Sequence, residues 1–496
     1  MIETALADVQ AKKSSWTRPD LARAISDALP DRLGNLDGRQ VTALVDGLTE
    51  QALALAVPLD AARPGEAALP DSLRLANGES AYQGSGRRRY ATPDHVRSER
   101  ALAAAATTAR TAPALTGEQV RRFVEQLREL GLELGADQQA AVAGVLSSGA
   151  DVESLVGPAG AGKSFVIGAL AKAWQDTALW DGAQRRVVGL AASQIATDVL
   201  AGEGVQARNI TRWLATQQRL SSDRAVEGDH DWRLRAGDLV VVDESAMADT
   251  AALAAIHTHV TAAGAKLLLT GDHRQLAAVG AGGVMELVTA SGSAYELTEA
   301  RRFRHEWERA ASLRLRGADE TVLGDYAKHG RLLDGGTREQ AEASAARAWL
   351  ADTLAGHHAL LIVDSNEQAA NVSADLRAEL VRLGLVDEHA VPLGRQGTYA
   401  GRGDLIQARL NGWDLAGYEG NQRGPINRET YRVLDTRDDG GLVVAPVIGR
   451  TTEGEQLGQR MTLPAYYVAE HVALGYAATV HAAQGLTVDR CHGVIT

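Results

Sequence analysis

VESLVGPAGAGKS, residues 152–164, decides the fold. A short apolar strand carrying Val152, Leu155 and Val156 runs into Gly157, Pro158, Ala159, Gly160, Ala161, Gly162, Lys163 and Ser164, and an apolar-rich helical run from Phe165 to Trp174 follows. The spacing G-x-x-x-x-G-K-[ST] has a mechanism. Its glycines let the backbone N–H groups point inward at phosphate oxygens, and the N-terminus of the next helix adds partial positive charge at the same spot. Lys163 then reaches the outer phosphates as a point charge, and the Ser164 hydroxyl is a ligand for a divalent cation. A chance glycine-rich turn would need neither the strand before it nor the helix after it, and both are present. Gly157 through Phe165 is therefore the candidate phosphate cradle of an α/β protein.

Composition narrows the rest. A chain of 496 residues has ample material for several packed domains. Its net charge of −12 argues against coating nucleic acid through an overall positive field, though a local basic channel is compatible with it. The single cysteine, Cys491, excludes an intrachain disulfide and four-cysteine zinc sites. The first residues lack the basic segment of a secretory signal, and no apolar run reaches the roughly 18 residues of a membrane span. A soluble, cytoplasmic protein is expected.

Residues 1–115 read as a helical N-terminal accessory region. Thr17-Arg18-Pro19-Asp20 is a capping pattern opening a helix through Leu21 and Ile25, and a second helix covers 41–55. A Pro/Gly-rich linker spans 58–70, and Gly86 to Tyr90 holds the most basic cluster, either a solvated turn or a phosphate contact. From 116 strands and helices alternate. The loop at 221–232 has room for a small hairpin. Each polar motif stands just past the carboxyl end of an apolar strand, where ligands bind in a parallel sheet: Asp243-Glu244 after 239–242, and Gly271-Asp272-His273-Arg274-Gln275 after 266–270. A second α/β unit starts near 300. Between 401 and 461 short strands separated by Gly, Asn and Asp turns read as a small β-barrel, and a helix is expected around 475–485.

A phosphate loop alone binds a nucleotide without using it. Hydrolysis also needs a carboxylate for Mg²⁺ and a group that orients the attacking water. Asp243 fits the metal role together with Ser164, and adjacent Glu244 fits the general base. Gln275 stands where an amide can report the γ-phosphate of ATP, and Gln138, ahead of the loop, where one can bond an adenine edge. His257 and His259, two apart on a helix, do not share a face and read as structural. Trp213 is either a base-stacking ring or core.

Together these residues resemble a family. Gly157–Ser164, Asp243-Glu244-Ser245-Ala246, Gly271–Gln275, Leu297–Arg302 and Thr479–Gly485 look like motifs I to V of superfamily-one DNA helicases of the RecD-like group, most closely the helicase portion of conjugative relaxases of the TraA, TrwC and TraI kind. The resemblance covers nearly the whole chain. It implies two RecA-like domains, at 116–300 and at 301–400 with 462–496, and an inserted SH3-like β-barrel at 401–461. It also implies ATP and Mg²⁺ as cofactors, 5′-to-3′ movement on single-stranded DNA, and other conjugation proteins as partners. Gln138 then matches the adenine-reading glutamine. Arg302 matches the arginine directed at the γ-phosphate from the second domain, and Ser193, Thr211, Thr479, His481 and Gln484 line the DNA track.

Two departures from the pattern stand out. The family's nicking domain is absent, and nothing after Val494 matches motif VI, the source of a second arginine. The reading is therefore a translocase or helicase module, expected to be a fragment with impaired hydrolysis, and its alternative a nucleotide-regulated single-stranded DNA-binding module with little turnover. Arg301, Arg304 or Arg490 is the substitute if turnover is normal.

Overall fold

The computed structural model describes residues 1–59, 70–73, 88–108, 112–222, 224–275, 280–394, 397–451 and 454–495. Most of the 58–70 linker, the Gly86-Arg87 half of the basic cluster and Thr496 lie outside them. Contacts divide the chain into two units, Met1–Ala192 with Ala196–Val322, and Ser193–Ile195 with Leu323–Thr496. Residues 301–322 thus pack with the phosphate loop, as does the N-terminal region.

The first unit is built on a six-stranded, wholly parallel sheet. Its strands are β1 (Val152–Val156), β2 (Val187–Ala191), β3 (Gln206–Asn209), β4 (Leu239–Asp243), β5 (Lys266–Gly271) and β6 (Ala294–Glu296), in the spatial order β3-β2-β4-β5-β1-β6. β1, β2, β4 and β5 are buried along their whole length, as a sheet covered on both faces requires. Alternate residues feed two cores: Leu239, Val241 and Leu268 one, Val240, Val242, Leu267 and Leu269 the other. The first core is closed by helices at Gly117–Glu129, Ala136–Ser147 and Lys163–Gln175. The second takes Leu102 and Ala106 from the helix Pro93–Thr108, so this part of the N-terminal region covers the main sheet. The helices Ile2–Lys12, Arg18–Asp27 and Gly38–Leu53 form their own small core around Trp16, Leu21 and Ile25. Thr17 and Asp20 make the capping box that the sequence predicts.

Strand order places the site. The chain leaves β1, crosses two positions to β2, and later inserts β4 and β5 between them, so the carboxyl ends of β1, β5 and β4 are neighbours. That crossover leaves the crevice in which open parallel sheets bind ligands.

The second unit has a three-stranded parallel sheet in which β7 (Ala359–Val363) lies between Ala477–Thr479 and Arg490–Gly493. An antiparallel sheet runs from Gly454–Leu457 through Leu442–Thr451, Thr430–Thr436 and Leu405–Ala408 to Val472–Leu474, with Met461–Leu463 also paired to 442–444. It therefore extends beyond the 401–461 segment. Leu361 and Leu376 share one core with Ile406, Tyr431 and Val444, so the segment packs into its unit without a separate core.

Two local expectations are corrected. The 221–232 loop ends in a short 3-10 turn at His230–Trp232 and forms no hairpin among its described residues. Around 475–485 the chain forms the strand Ala477–Thr479 and only then the helix Val480–Ala483, because β7 offers a parallel edge that outweighs alanine's helical preference. Tyr466-Tyr467-Val468 lies in the helix Ala465–His471.

Candidate nucleotide site

The phosphate loop is held open by its glycines and by residues far away in sequence. Gly160 and Gly162 have φ of +75° and +85°, in the left-handed region that L side chains resist. A Cβ on Gly160 would collide with the Arg302 Cβ, and one on Gly162 with the Gln138 side-chain nitrogen. Arg302 thus backs directly on the loop, in the first unit, and the expectation that it reaches the loop from a second domain is corrected.

Arg301 clamps the same loop. Its backbone N–H donates to Gly160 O (3.0 Å) and its Nη1 to Ala161 O (2.8 Å). Nη2 donates to Asp137 Oδ1 (2.7 Å) and Glu299 Oε2 (2.8 Å). Burial would push the Asp137 carboxyl up, but Arg301 and the amides of Thr298 and Glu299 hold it below the usual carboxylate range. Arg301 is committed here, and Arg490 lies near Asp352 (3.4 Å).

Gln138 is buried, at 3% exposure. Its Oε1 accepts from Gly135 N (3.0 Å), capping its own helix, and its Nε2 donates to Ala161 O (3.1 Å), bracing the loop. Lys163 Nζ donates to Gly157 O (2.7 Å) and Pro158 O (3.1 Å). Burial lowers its pKa, while Asp243, Asp272 and Glu244 oppose that and Arg302 adds to it. All four charges are therefore within electrostatic reach of the Lys163 ammonium.

Asp243 ends β4, and its Oδ1 accepts from Thr270 Oγ1 (2.6 Å) on β5 and from Glu244 N (2.9 Å). Glu244 stands at φ 49°, a strained position for a non-glycine residue at the exit of a strand. One strand across, Asp272 is 4% exposed and accepts from Gln275 Nε2 (3.0 Å) and from both Nε and Nη2 of Arg316 (2.9 Å each).

This donor set fits a nucleotide with its metal. A glycine-lined cradle faces a half-buried ammonium, and Ser164 and Asp243 offer a hydroxyl and an oriented carboxylate. Mg²⁺ needs no more from the protein, because phosphates and water complete its shell. Among the described residues no group of three or more His, Cys, Asp or Glu side chains could hold a metal.

The other expected residues stand apart. Ser193 directly follows the segment after β2, and Thr211 is exposed on the helix Ile210–Ser221, where its N–H donates to Asn209 Oδ1 (3.0 Å). Thr479, His481 and Gln484 lie together on the strand-to-helix segment of the second unit. Thr479 caps the helix, His481 is exposed, and Gln484 Oε1 is buried without a hydrogen-bond partner. Trp213 is fully buried with its ring edge-on to His259, 5.6 Å between centroids, which corrects the base-stacking alternative and makes Trp213 core. Arg89 Nη1 reaches Ser15 O (3.4 Å), and Arg88 lies over the Tyr90 ring. Sequence reading missed Thr270, Asp272 and Arg316 as functional groups and named Arg301 only as a substitute arginine, not as a clamp on the loop.

Fold and site define an α/β protein with a wholly parallel main sheet and a phosphate loop. An AAA domain model matches residues 133–337, which include the loop, Asp243, Gln275 and Arg302. The chain is 28% identical over 365 residues to a conjugal transfer protein TraA of Rhizobium radiobacter, covering 72% of this chain and 30% of that protein. It is 28% identical over 342 residues to a probable TraA of Sinorhizobium fredii, covering 68% and 28%. It thus spans less than a third of the length of these relatives. Solved structures similar to it include Pif1 helicase from Candida albicans (TM-score 0.44, 14% identity, 72% of this chain and 87% of that one). Another is Bacteroides sp Pif1 in complex with ADP-AlF4 (TM-score 0.35, 14% identity, 75% and 85%). The chain is thus similar in sequence to part of conjugal transfer proteins named TraA. No helix among the described residues is long and apolar enough to cross a membrane.

Proposed function

We propose that this chain is an ATP-dependent single-stranded DNA translocase or helicase module of a conjugal DNA-transfer protein, moving 5′ to 3′. The observation that carries the proposal is convergence: Lys163, Asp243, Glu244, Gln275 and Arg302, read from four separate stretches, stand along the carboxyl edge of one sheet. ATP, when bound, supplies the phosphoanhydride whose hydrolysis drives the cycle. Loop amides and Lys163 bind the phosphates, Ser164 and Asp243 hold Mg²⁺, Glu244 takes the proton of the attacking water, Gln275 senses the γ-phosphate, and Arg302 stabilises charge developing there. Gln138 acts on the loop as well as on the base. In this reading the second unit is the second RecA-like domain with an SH3-like insertion, and Ser193, Thr211, Thr479, His481 and Gln484 track the DNA, alongside other conjugation proteins.

The test is hydrolysis with and without DNA. Single-stranded oligonucleotide should raise turnover by about tenfold or more, duplex less, and binding should weaken with a log–log salt slope of about −0.7 per phosphate neutralised. No binding at low salt removes DNA from the account. A second reading, a nucleotide-regulated DNA-binding module with slow turnover, is favoured by the carboxylates that occupy Arg301 and Arg490, leaving Arg302 to act without them. Tight DNA binding with unstimulated, slow hydrolysis would select it.

A further inference from the structure

We propose that Arg316 is a positioning residue for hydrolysis, acting on Gln275 through Asp272. The inference rests on the reading of this edge as an ATPase site.

Asp272 is the hub. Arg316 binds it through two parallel bonds, Nε to Oδ2 and Nη2 to Oδ1, a geometry that fixes the plane of the carboxylate as well as its charge. The remaining capacity of that plane goes to the segment after β5: Arg274 N donates to Oδ1 (3.1 Å) and Gln275 Nε2 to Oδ2 (3.0 Å). The Asp272 side chain is 1% exposed and that of Arg316 13%, so solvent does little to loosen the pair. Arg316 Nη1 is 3.5 Å from Glu296, at the solvent edge.

The chemistry gives the arrangement a direction. Burial would raise the Asp272 carboxyl, but Arg316 first, then Gln275 and the Arg274 amide, hold it below the usual range, so it is ionised and can only accept. Gln275 must therefore turn its NH₂ toward Asp272, which leaves Oε1 as the end directed away. A glutamine free to flip would offer a donor and an acceptor alternately; this one offers a fixed face. Asp272 also lies within the field felt by Lys163, so the fixed amide belongs to the same site.

Arg316 brings in a second element. It is the last residue of the helix Glu306–Arg316, which begins four residues after Arg302, and the chain passes out of the first unit six residues later, after Val322. The helix is thus tied to the phosphate loop just before its start, through Arg301, and to Gln275 at its end.

A double-mutant cycle tests the link. Arg316→Gln should lower kcat by about tenfold or more, with KM for ATP and nucleotide affinity within about twofold. In a Gln275→Ala background the same change should alter kcat by less than about twofold, because the residue it acts through is gone. Arg316→Lys, which keeps the charge and loses the fork, should rescue less than half of the loss. Asp272→Asn should behave as Arg316→Gln does. A second readout needs no nucleotide: with ¹⁵N-glutamine labelling, the Gln275 side-chain amide, assigned by its loss in Gln275→Ala, should show one proton protected from exchange, and Arg316→Gln should abolish that protection. Equal kcat losses in both backgrounds, a rise in KM at constant kcat, or an unprotected amide in the unsubstituted protein would overturn the proposal. If the unsubstituted protein fails to hydrolyse ATP with or without DNA, the ATPase reading fails, and the amide experiment still decides whether Arg316 fixes Gln275. Should Arg316→Gln not fold, Arg316→Lys carries both measurements.

Discussion

Gly160 cannot become alanine without moving Arg302. Its φ of +75° is strained for any L side chain, and the added Cβ would overlap the Cβ of Arg302, whose backbone lies behind the loop. A misfit of this kind costs about 1–3 kcal/mol, so Gly160→Ala should weaken nucleotide binding by roughly 5- to 150-fold, read by calorimetry, with the far-ultraviolet spectrum unchanged. Lys163→Ala and Asp243→Ala should each abolish Mg²⁺-dependent hydrolysis in a folded protein, while Glu244→Gln keeps binding and loses turnover. Unchanged ATP affinity in Lys163→Ala would show that the loop is not a phosphate site. Lys163, Asp243, Glu244 and Gln275 were legible because each follows an apolar strand, and a strand end is a local pattern. Arg301 was legible only as a neighbour of Arg302. Its carboxylate partner Asp137 is 164 positions away, and no local spacing announces such a pair. Arg316 lies 44 positions from Asp272 and ends an ordinary amphipathic helix, so it too carries no mark in sequence.

Elements obey the same division between local and distant causes. Capping boxes at Thr17, Thr116 and Thr337 set helix starts within four residues, and the first was read from sequence for that reason. The segment from 475 on was misread because its strand is imposed by β7, more than 100 positions earlier. A buried network anchors that segment. Tyr476 OH donates to Asp404 Oδ1 (2.6 Å), Arg377 Nε (2.7 Å) and Gly401 N (2.7 Å) donate to Oδ2, and Asp404 is fully buried. Removing one donor is tolerable because Oδ2 keeps two. Tyr476→Phe should therefore cost about 1–3 kcal/mol of stability in the second unit, measured by urea unfolding. Asp404→Ala strands Arg377, 14% exposed at its side chain, and should cost about 3–5 kcal/mol. If Asp404→Ala proves milder than Tyr476→Phe, the carboxylate is not the centre of the network.

At the scale of the whole molecule, the decisive fact is that the two units have separate cores. Leu155, Leu239 and Leu268 with their neighbours hold one together, and Leu361, Ile406 and Tyr431 with theirs the other. Gln138, Gly157–Phe165, Asp243, Glu244, Gln275 and Arg302 all lie in the first. A ligand that binds only the folded form stabilises what it touches by RT ln(1 + [L]/Kd), about 2.7 kcal/mol at a hundredfold excess over Kd. Mg²⁺ with a nucleotide should therefore raise hydrogen-exchange protection in β1, β4 and β5 by up to about a hundredfold, and leave the strands at 430–436 and 442–449 unchanged. Lys163→Ala should remove the increase in β1, β4 and β5 and still leave the second unit's strands as they were. Single-stranded DNA offers the complementary experiment: under the proposed function its binding should protect the segment around Thr479, His481 and Gln484, within the second unit. Equal nucleotide-induced protection in both units would mean that their cores open as one cooperative body, and the stability change could then no longer be assigned to the loop-bearing unit alone.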